Sequence, residues 1–147
     1  FIFSQNIDYS GEWTDSSPAS TVSSIKIIPG EKFKNTLTLE KIKDEENTYK
    51  FTFFGWRDSY DRYAKQVIKF SGEMLADHFV IEVIDNKAYY NDDSLVEDGE
   101  LPLYNEGEER CKVYFTFNKD SITVQTRDCN FIYGGFGVTF DGTYKKN

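Results

Sequence analysis

The sequence predicts an all-β protein, an antiparallel up-and-down barrel of about eight or nine strands. Three observations carry that prediction. Aromatic residues make up 17% of the chain, with 13 Phe and 10 Tyr against one Met, and aromatic and β-branched residues are what pleated, half-buried surfaces favour. Short runs with period-two alternation, separated by turn residues, recur along almost the whole chain. Finally, the two ends match: Tyr9-Ser10-Gly11-Glu12-Trp13 and Phe140-Asp141-Gly142-Thr143-Tyr144 are both aromatic-x-Gly-x-aromatic. Alternate residues of a strand share a face, so each run sets a glycine between two aromatics on one side. Gly11, Trp13, Gly142 and Tyr144 are therefore predicted to be structural, on two seam strands that pair with each other and leave the sheet no free edge. The 147 residues suffice for one domain around one core, with residues 1–8 either the remnant of a signal peptide or an extra strand.

The elements follow in order. After the Gly11/Trp13 strand, residues 15–20 form a Ser/Thr/Pro loop, and residues 22–28 read as a strand that ends at Pro29-Gly30. Residues 33–42 and 49–54 make a hairpin around the charged turn Lys43-Asp44-Glu45-Glu46-Asn47, with Tyr49, Phe51 and Phe53 facing one way. Residues 55–63 are polar with embedded aromatics and read as a loop. Strands at 66–72 and 79–84 are joined near Met74-Leu75-Ala76-Asp77, where a short helix is the alternative. Asp85-Asn86-Lys87 turns into Ala88-Tyr89-Tyr90, and residues 91–110 form a long acidic connection, expected to be the most mobile segment.

Residues 112–118 and 121–127 form the clearest hairpin, with Lys119-Asp120 as its two-residue turn. That register sets Phe117 against Ile122, Phe115 against Val124 and Val113 against Thr126, so apolar positions meet across the strands. It also sets Cys111 opposite Asp128, one residue short of Cys129. Two cysteines that flank one hairpin favour a single disulfide over a metal site, and a disulfide here requires a bulge or strand end at Asp128 that swings Cys129 onto the Cys111 face. Such a bridge indicates an oxidising compartment, hence a secreted, periplasmic or cell-envelope protein. Two reduced thiols are the alternative. The predicted inward set is Trp13, Phe51, Phe53, Phe115, Phe117, Val124, Phe140 and Tyr144, enough rings to fill a barrel of this size outright.

Composition narrows the partners. Against 25 acidic residues stand 17 basic ones, for a formal charge of −8, which repels phosphate backbones and anionic head groups. Nucleic acid and membrane surfaces are poor partners on that ground, and no stretch approaches the ~20 apolar residues of a membrane span. A basic protein would be steered favourably, although solubility alone also accounts for the charge. Enzyme constellations are thin. The one histidine, His78, follows Asp77 as a surface imidazole beside an acid and cannot anchor a His-based metal site. Neither a nucleophile elbow nor a phosphate-binding or dinucleotide motif is present, and the acidic stretch lacks the oxygen spacing of a calcium loop. No catalytic residue, metal or cofactor is assigned. Two aromatic stretches are the binding candidates, one with Trp56, Arg57, Tyr60 and Tyr63, the other with Phe131, Tyr133 and Phe136. Flat rings beside planar hydrogen-bonding groups suit a sugar or a protein partner, and the same rings would also serve as a lid over the barrel end.

Gly11-Glu12-Trp13 near the start of a chain of consecutive hairpins resembles the Gly-x-Trp signature of the lipocalin and calycin barrels. The resemblance implies that Trp13 packs at the closed end of the barrel under a basic side chain from the last strand, with Lys145 and Lys146 as candidates where the family usually has Arg. The C-terminal order Cys111-x-Val113-x-Phe115-x-Phe117, a turn, Ile122-x-Val124, Cys129 and Phe140-Asp141-Gly142-Thr143-Tyr144-Lys145-Lys146 is similar to a group of small exported bacterial domains, some of which accompany proteins thought to inhibit lysozyme. Together these features predict a monomeric, exported, non-catalytic binding module, an inhibitor of a basic envelope-targeting hydrolase such as lysozyme. A carrier of a small apolar or aromatic ligand inside the barrel is the alternative.

Overall fold

In the computed structural model the described residues are 7–15, 34–91, 110–129 and 139–147, with the backbone alone for residues 57–61 and 67–70. They form nine antiparallel strands: β1 (Gly11–Asp15), β2 (Thr36–Lys41), β3 (Thr48–Asp61), β4 (Gln66–Met74), β5 (Val80–Glu82), β6 (Lys87–Asn91), β7 (Lys112–Phe117), β8 (Ser121–Arg127) and β9 (Gly142–Lys146). No helix occurs among the described residues, so the joint after Met74 is not helical. The strands make one curled, barrel-like sheet in the order β4-β3-β2-β1-β9-β8-β7-β6, with β5 pairing β3 off that path.

The matched chain ends do pair. β1 and β9 lie antiparallel, with Trp13 opposite Lys146 and Asp15 opposite Tyr144. The expectation of an edgeless sheet needs correction, because among the described residues the pairing path ends at β4 and β6. Among the described residues the gap is spanned at one end. There, β5 pairs with β3 over Thr48–Lys50 and reaches β6 through a single bridge, Ile84 to Lys87. The bridge closes a tight turn in which Asp85 and Asn86 both take positive φ, 51° and 62°, a conformation Asn and Asp tolerate better than most residues.

Residues 55–61, expected as a loop, instead continue β3 and pair with β4 as far as Asp61 opposite Gln66. The long β3–β4 hairpin turns at residues 62–65, with Lys65 at φ 53°. Main-chain pairing sustains a ribbon of this kind without a strict apolar alternation, and Gly55 opposite Gly72 lets the two backbones meet where the hairpin leaves the core. The expected strand at residues 22–28, the acidic connection and the segment holding Phe131, Tyr133 and Phe136 lie outside the described residues.

The predicted inward set is buried in full, joined by Tyr9, Leu37, Leu39, Tyr49, Met74, Phe79, Ile81 and Ile122. Ring contacts organise this core. Phe51 meets Phe79, Tyr90 and Phe115, each at 5.3 Å between centroids, and Phe53 stacks on Phe140 at 5.2 Å and on Phe115 at 5.9 Å. Tilted and edge-on geometries at these separations each add about 1 kcal/mol to the area term. The interior, as far as it is described, is thus packed with side chains.

Candidate functional site

Strand polarity gives the sheet two different ends. At one, the connections are short: residues 42–47 between β2 and β3, 83–86 between β5 and β6, and 118–120 between β7 and β8. At the other, β1 ends at Asp15 and the chain returns at Lys34, β6 ends at Asn91 and returns at Arg110, and β8 leads to Cys129 and returns at Thr139. The β3–β4 hairpin projects beyond this same end, since the Trp56 amide lies next to Asn35. All the long connections therefore root on one rim.

The short-turn end is sealed by aromatics. Tyr9 packs 4.5 Å from Phe117 between ring centroids, its amide donates to the Tyr49 hydroxyl at 3.1 Å, and the Trp13 indole N–H donates to the Tyr9 carbonyl at 2.9 Å. Lys146 lies over the Trp13 ring, Nζ 5.1 Å from its centroid, and donates to the Ser10 carbonyl. Gly11 makes this possible. A Cβ there would meet Lys146 Nζ at 2.9 Å, and its φ of 119° is one that other residues rarely adopt. Beside it the Asp8 carboxylate is held below its ordinary pKa, first by the Ser10 backbone N–H that it accepts at 2.9 Å.

Polar side chains tie the opposite rim together. Asn35 is buried, and its carboxamide accepts from the Trp56 amide at 2.9 Å and donates to the Thr139 carbonyl at 2.7 Å, while its own carbonyl accepts from the Asp15 amide at 2.9 Å. One residue thus joins the roots of β1, β3 and β9. Gly142 yields its space to the buried Asp15 carboxylate, whose Cγ lies 2.8 Å from where a Cβ would sit. Below them the Tyr144 hydroxyl donates to the Phe140 carbonyl at 2.7 Å, and its pKa is raised chiefly by burial and then by the Asp15 charge. Each seam glycine makes room for a charged side chain of the other seam strand.

The disulfide forms between Cys111 and Cys129, whose Cα atoms are 4.4 Å apart. The hairpin register is the predicted one, and Asp128 takes φ 58° just after β8 ends at Arg127. That left-handed residue is the irregularity which carries Cys129 onto the Cys111 face. Both cysteines are buried, and the bridge staples the root of the 92–109 connection to that of the 130–138 connection.

Of the binding candidates, Trp56 is half-buried on β3 at the Asn35 rim, and Tyr63 is fully exposed at the hairpin tip. Arg57 and Tyr60 lie on strand backbone opposite Phe70 and Val67. Phe131, Tyr133 and Phe136 are outside the described residues, although Cys129 and Thr139 place their segment's roots on the same rim. His78 is exposed in the turn before β5, its ring centroid 4.2 Å from that of Phe79. Among the described residues no group of His, Cys, Asp and Glu is placed to hold a metal ion.

Charge is distributed unevenly. Residues 92–109 hold eight Asp or Glu and no Lys or Arg, while the other 17 acidic residues are matched by all 17 basic ones. The formal charge of −8 therefore belongs to one connection, rooted at Asn91 and Arg110 beside the disulfide.

Sequence reasoning missed a second surface. On the outer face of β6, β7 and β8, Tyr89, Tyr114 and Gln125 are successive register partners. The two tyrosine rings are 5.0 Å apart and exposed. They line an open groove of about 840 Å³ that also meets Ile84 and Lys87, and a smaller one of about 420 Å³ continues from Tyr114 and Gln125 to Arg127 and Asp141. The signal for Tyr114 was its position between the inward Val113 and Phe115. Its neighbour could not be assigned, because the register of β6 against β7 is separated from the sequence pattern by the long acidic connection.

No family model matches the chain, and neither a curated protein nor a solved structure matches it.

Proposed function

We propose that the protein is an exported, non-catalytic interaction module whose long-connection rim engages a basic protein, the favoured target being a cationic hydrolase such as lysozyme. The observation that carries this reading is the confinement of the net charge to the connection rooted at Asn91 and Arg110. A charge spread over the whole sequence would serve solubility, whereas eight acids within one connection, in a chain whose other charges balance, favour the approach of a cationic partner to that connection. The disulfide supports the reading twice, by fixing the roots of the rim and by suiting an oxidising, extracytoplasmic setting. Packing supports it as well, since the described interior is filled with rings and binding then falls to the outside. The resemblance to small exported domains, some of which accompany proteins thought to inhibit lysozyme, supports the same class of target.

The test is a binding titration of the disulfide-intact protein against a cationic lysozyme and a hydrolase of near-zero net charge. Binding to the first that weakens steeply with added salt, with none to the second, supports the proposal. Equal or absent binding to both overturns it.

A further inference from the structure

We infer that the outer-face groove crossing β6, β7 and β8 is a binding site for a neutral glycan, with Tyr89 and Tyr114 as its platform. Alternation turns Ala88, Tyr90, Val113 and Phe115 into the core and leaves Tyr89 and Tyr114 outside, 48% and 38% exposed. They are directly opposed across the strands, with ring planes inclined at 37°. Part of their role is to stabilise the sheet, as cross-strand aromatic pairs do. Their exposed faces, however, open onto a groove rather than onto flat surface.

The occupant follows from what surrounds the rings. Gln125 continues the row, and Glu82, Lys87, Arg127 and Asp141 stand along the two contiguous grooves. Two acids and two bases balance, so the groove selects for no net charge, in contrast to the acidic rim. Beside the exposed Ile84, Tyr89 and Tyr114 the larger groove presents the polar Glu82, Lys87, Thr116 and Gln125, so ring faces and hydrogen-bonding groups lie together in it. A sugar has the complementary pattern: its C–H face lies on an aromatic ring, and its equatorial hydroxyls reach out to carboxylates, carboxamides and cationic groups at the edges. An open trough accepts a chain of sugars end-on or from within, where a closed pocket would take one ring.

Glycan binding at this groove is probed independently of the acidic connection. The isotope-labelled protein is titrated with millimolar cellotetraose, maltotetraose and tetra-N-acetylchitotetraose while its amide spectrum is recorded. Saturable shifts at Tyr89, Tyr114 and Gln125 with at least one of these, unchanged between low and high salt, are expected. Tyr114→Ala should weaken that binding about tenfold, the loss of one stacking contact, while Gln125→Ala, an exposed change that leaves the sheet intact, should weaken it severalfold. Shifts with none of the three glycans, shifts that map elsewhere, or glycan-independent shifts at these amides that grow with protein concentration and so reveal a second copy in the groove, overturn the inference.

Discussion

Lys146 of β9 holds its ammonium 5.1 Å above the Trp13 ring of β1, in space that Gly11 leaves open. The seam is therefore closed by a cation–π contact as well as by main-chain pairing. Gly11→Ala removes that space and forces a side chain onto φ 119°. It is expected to destabilise the fold by about 1–3 kcal/mol and to alter the near-ultraviolet circular dichroism of Trp13. Lys146→Ala, which loses only the contact, should cost less than about 1 kcal/mol. Equal effects of the two would show that the backbone at Gly11 is unstrained.

Cys111 and Cys129 close a loop with a sequence separation of 18. Replacing both with Ala should lower the unfolding free energy by about 3 kcal/mol, measured by denaturant titration. Asp128→Gly should be neutral or stabilising, since φ 58° suits glycine, whereas Asp128→Val should slow formation of the bridge in an oxidative refolding assay.

Asn35→Ala deletes the carboxamide that satisfies the Trp56 amide and the Thr139 carbonyl. Both groups lie at a partly buried junction, and the loss of the two hydrogen bonds is expected to cost about 1–3 kcal/mol. Amide hydrogen exchange should accelerate at Trp56 and at the start of β9 before it does elsewhere. Uniform acceleration would mean that Asn35 does not act as a local clamp.

Tyr144 contributes to the alkaline pH dependence, alongside Tyr9, whose phenol pKa burial also raises. The Tyr144 phenol ionises at about pH 10.0 in the unfolded chain, and burial, followed by the Asp15 charge, raises that value in the fold. Above pH 10 the unfolded state loses a proton that the folded state keeps, so stability is full below that pH and falls as pH rises. The slope from this group is at most about 1.4 kcal/mol per pH unit. Tyr144→Phe should cost about 1–2 kcal/mol at neutral pH through the hydrogen bond lost at the Phe140 carbonyl and should flatten the alkaline slope. Denaturant titrations across pH 8 to 11, a range set around that value, check both signs.

How far the sequence could be read depended on whether burial wrote a pattern into it. Val113, Phe115 and Phe117 alternate against Ile122 and Val124 because one face of each strand is buried, so the register and the need for an irregularity at Asp128 followed directly. The seam was legible for the same reason, through Tyr9, Trp13, Phe140 and Tyr144. Where the strand leaves the core, at residues 55–61, main-chain pairing with β4 holds it, and such pairing leaves no apolar period to read. The Asn35 clamp was equally hidden, since its partners Trp56 and Thr139 are 21 and 104 residues away. The Tyr89–Tyr114 pair needed a strand register that a long connection conceals.

If the acidic connection rooted at Asn91 and Arg110 is the binding surface, its carboxylates must carry the affinity. The most direct measurement is calorimetric titration of a cationic lysozyme with wild-type protein and with a variant whose eight Asp and Glu at residues 92–109 are replaced by Asn and Gln. Circular dichroism and an intact Cys111–Cys129 bridge confirm the variant's fold. Salt-dependent binding by the wild type is expected to fall at least a hundredfold in the variant, equivalent to about 2.7 kcal/mol. A folded variant that binds as tightly as the wild type, or a wild type that does not bind at low salt, would contradict a binding role for the acidic connection.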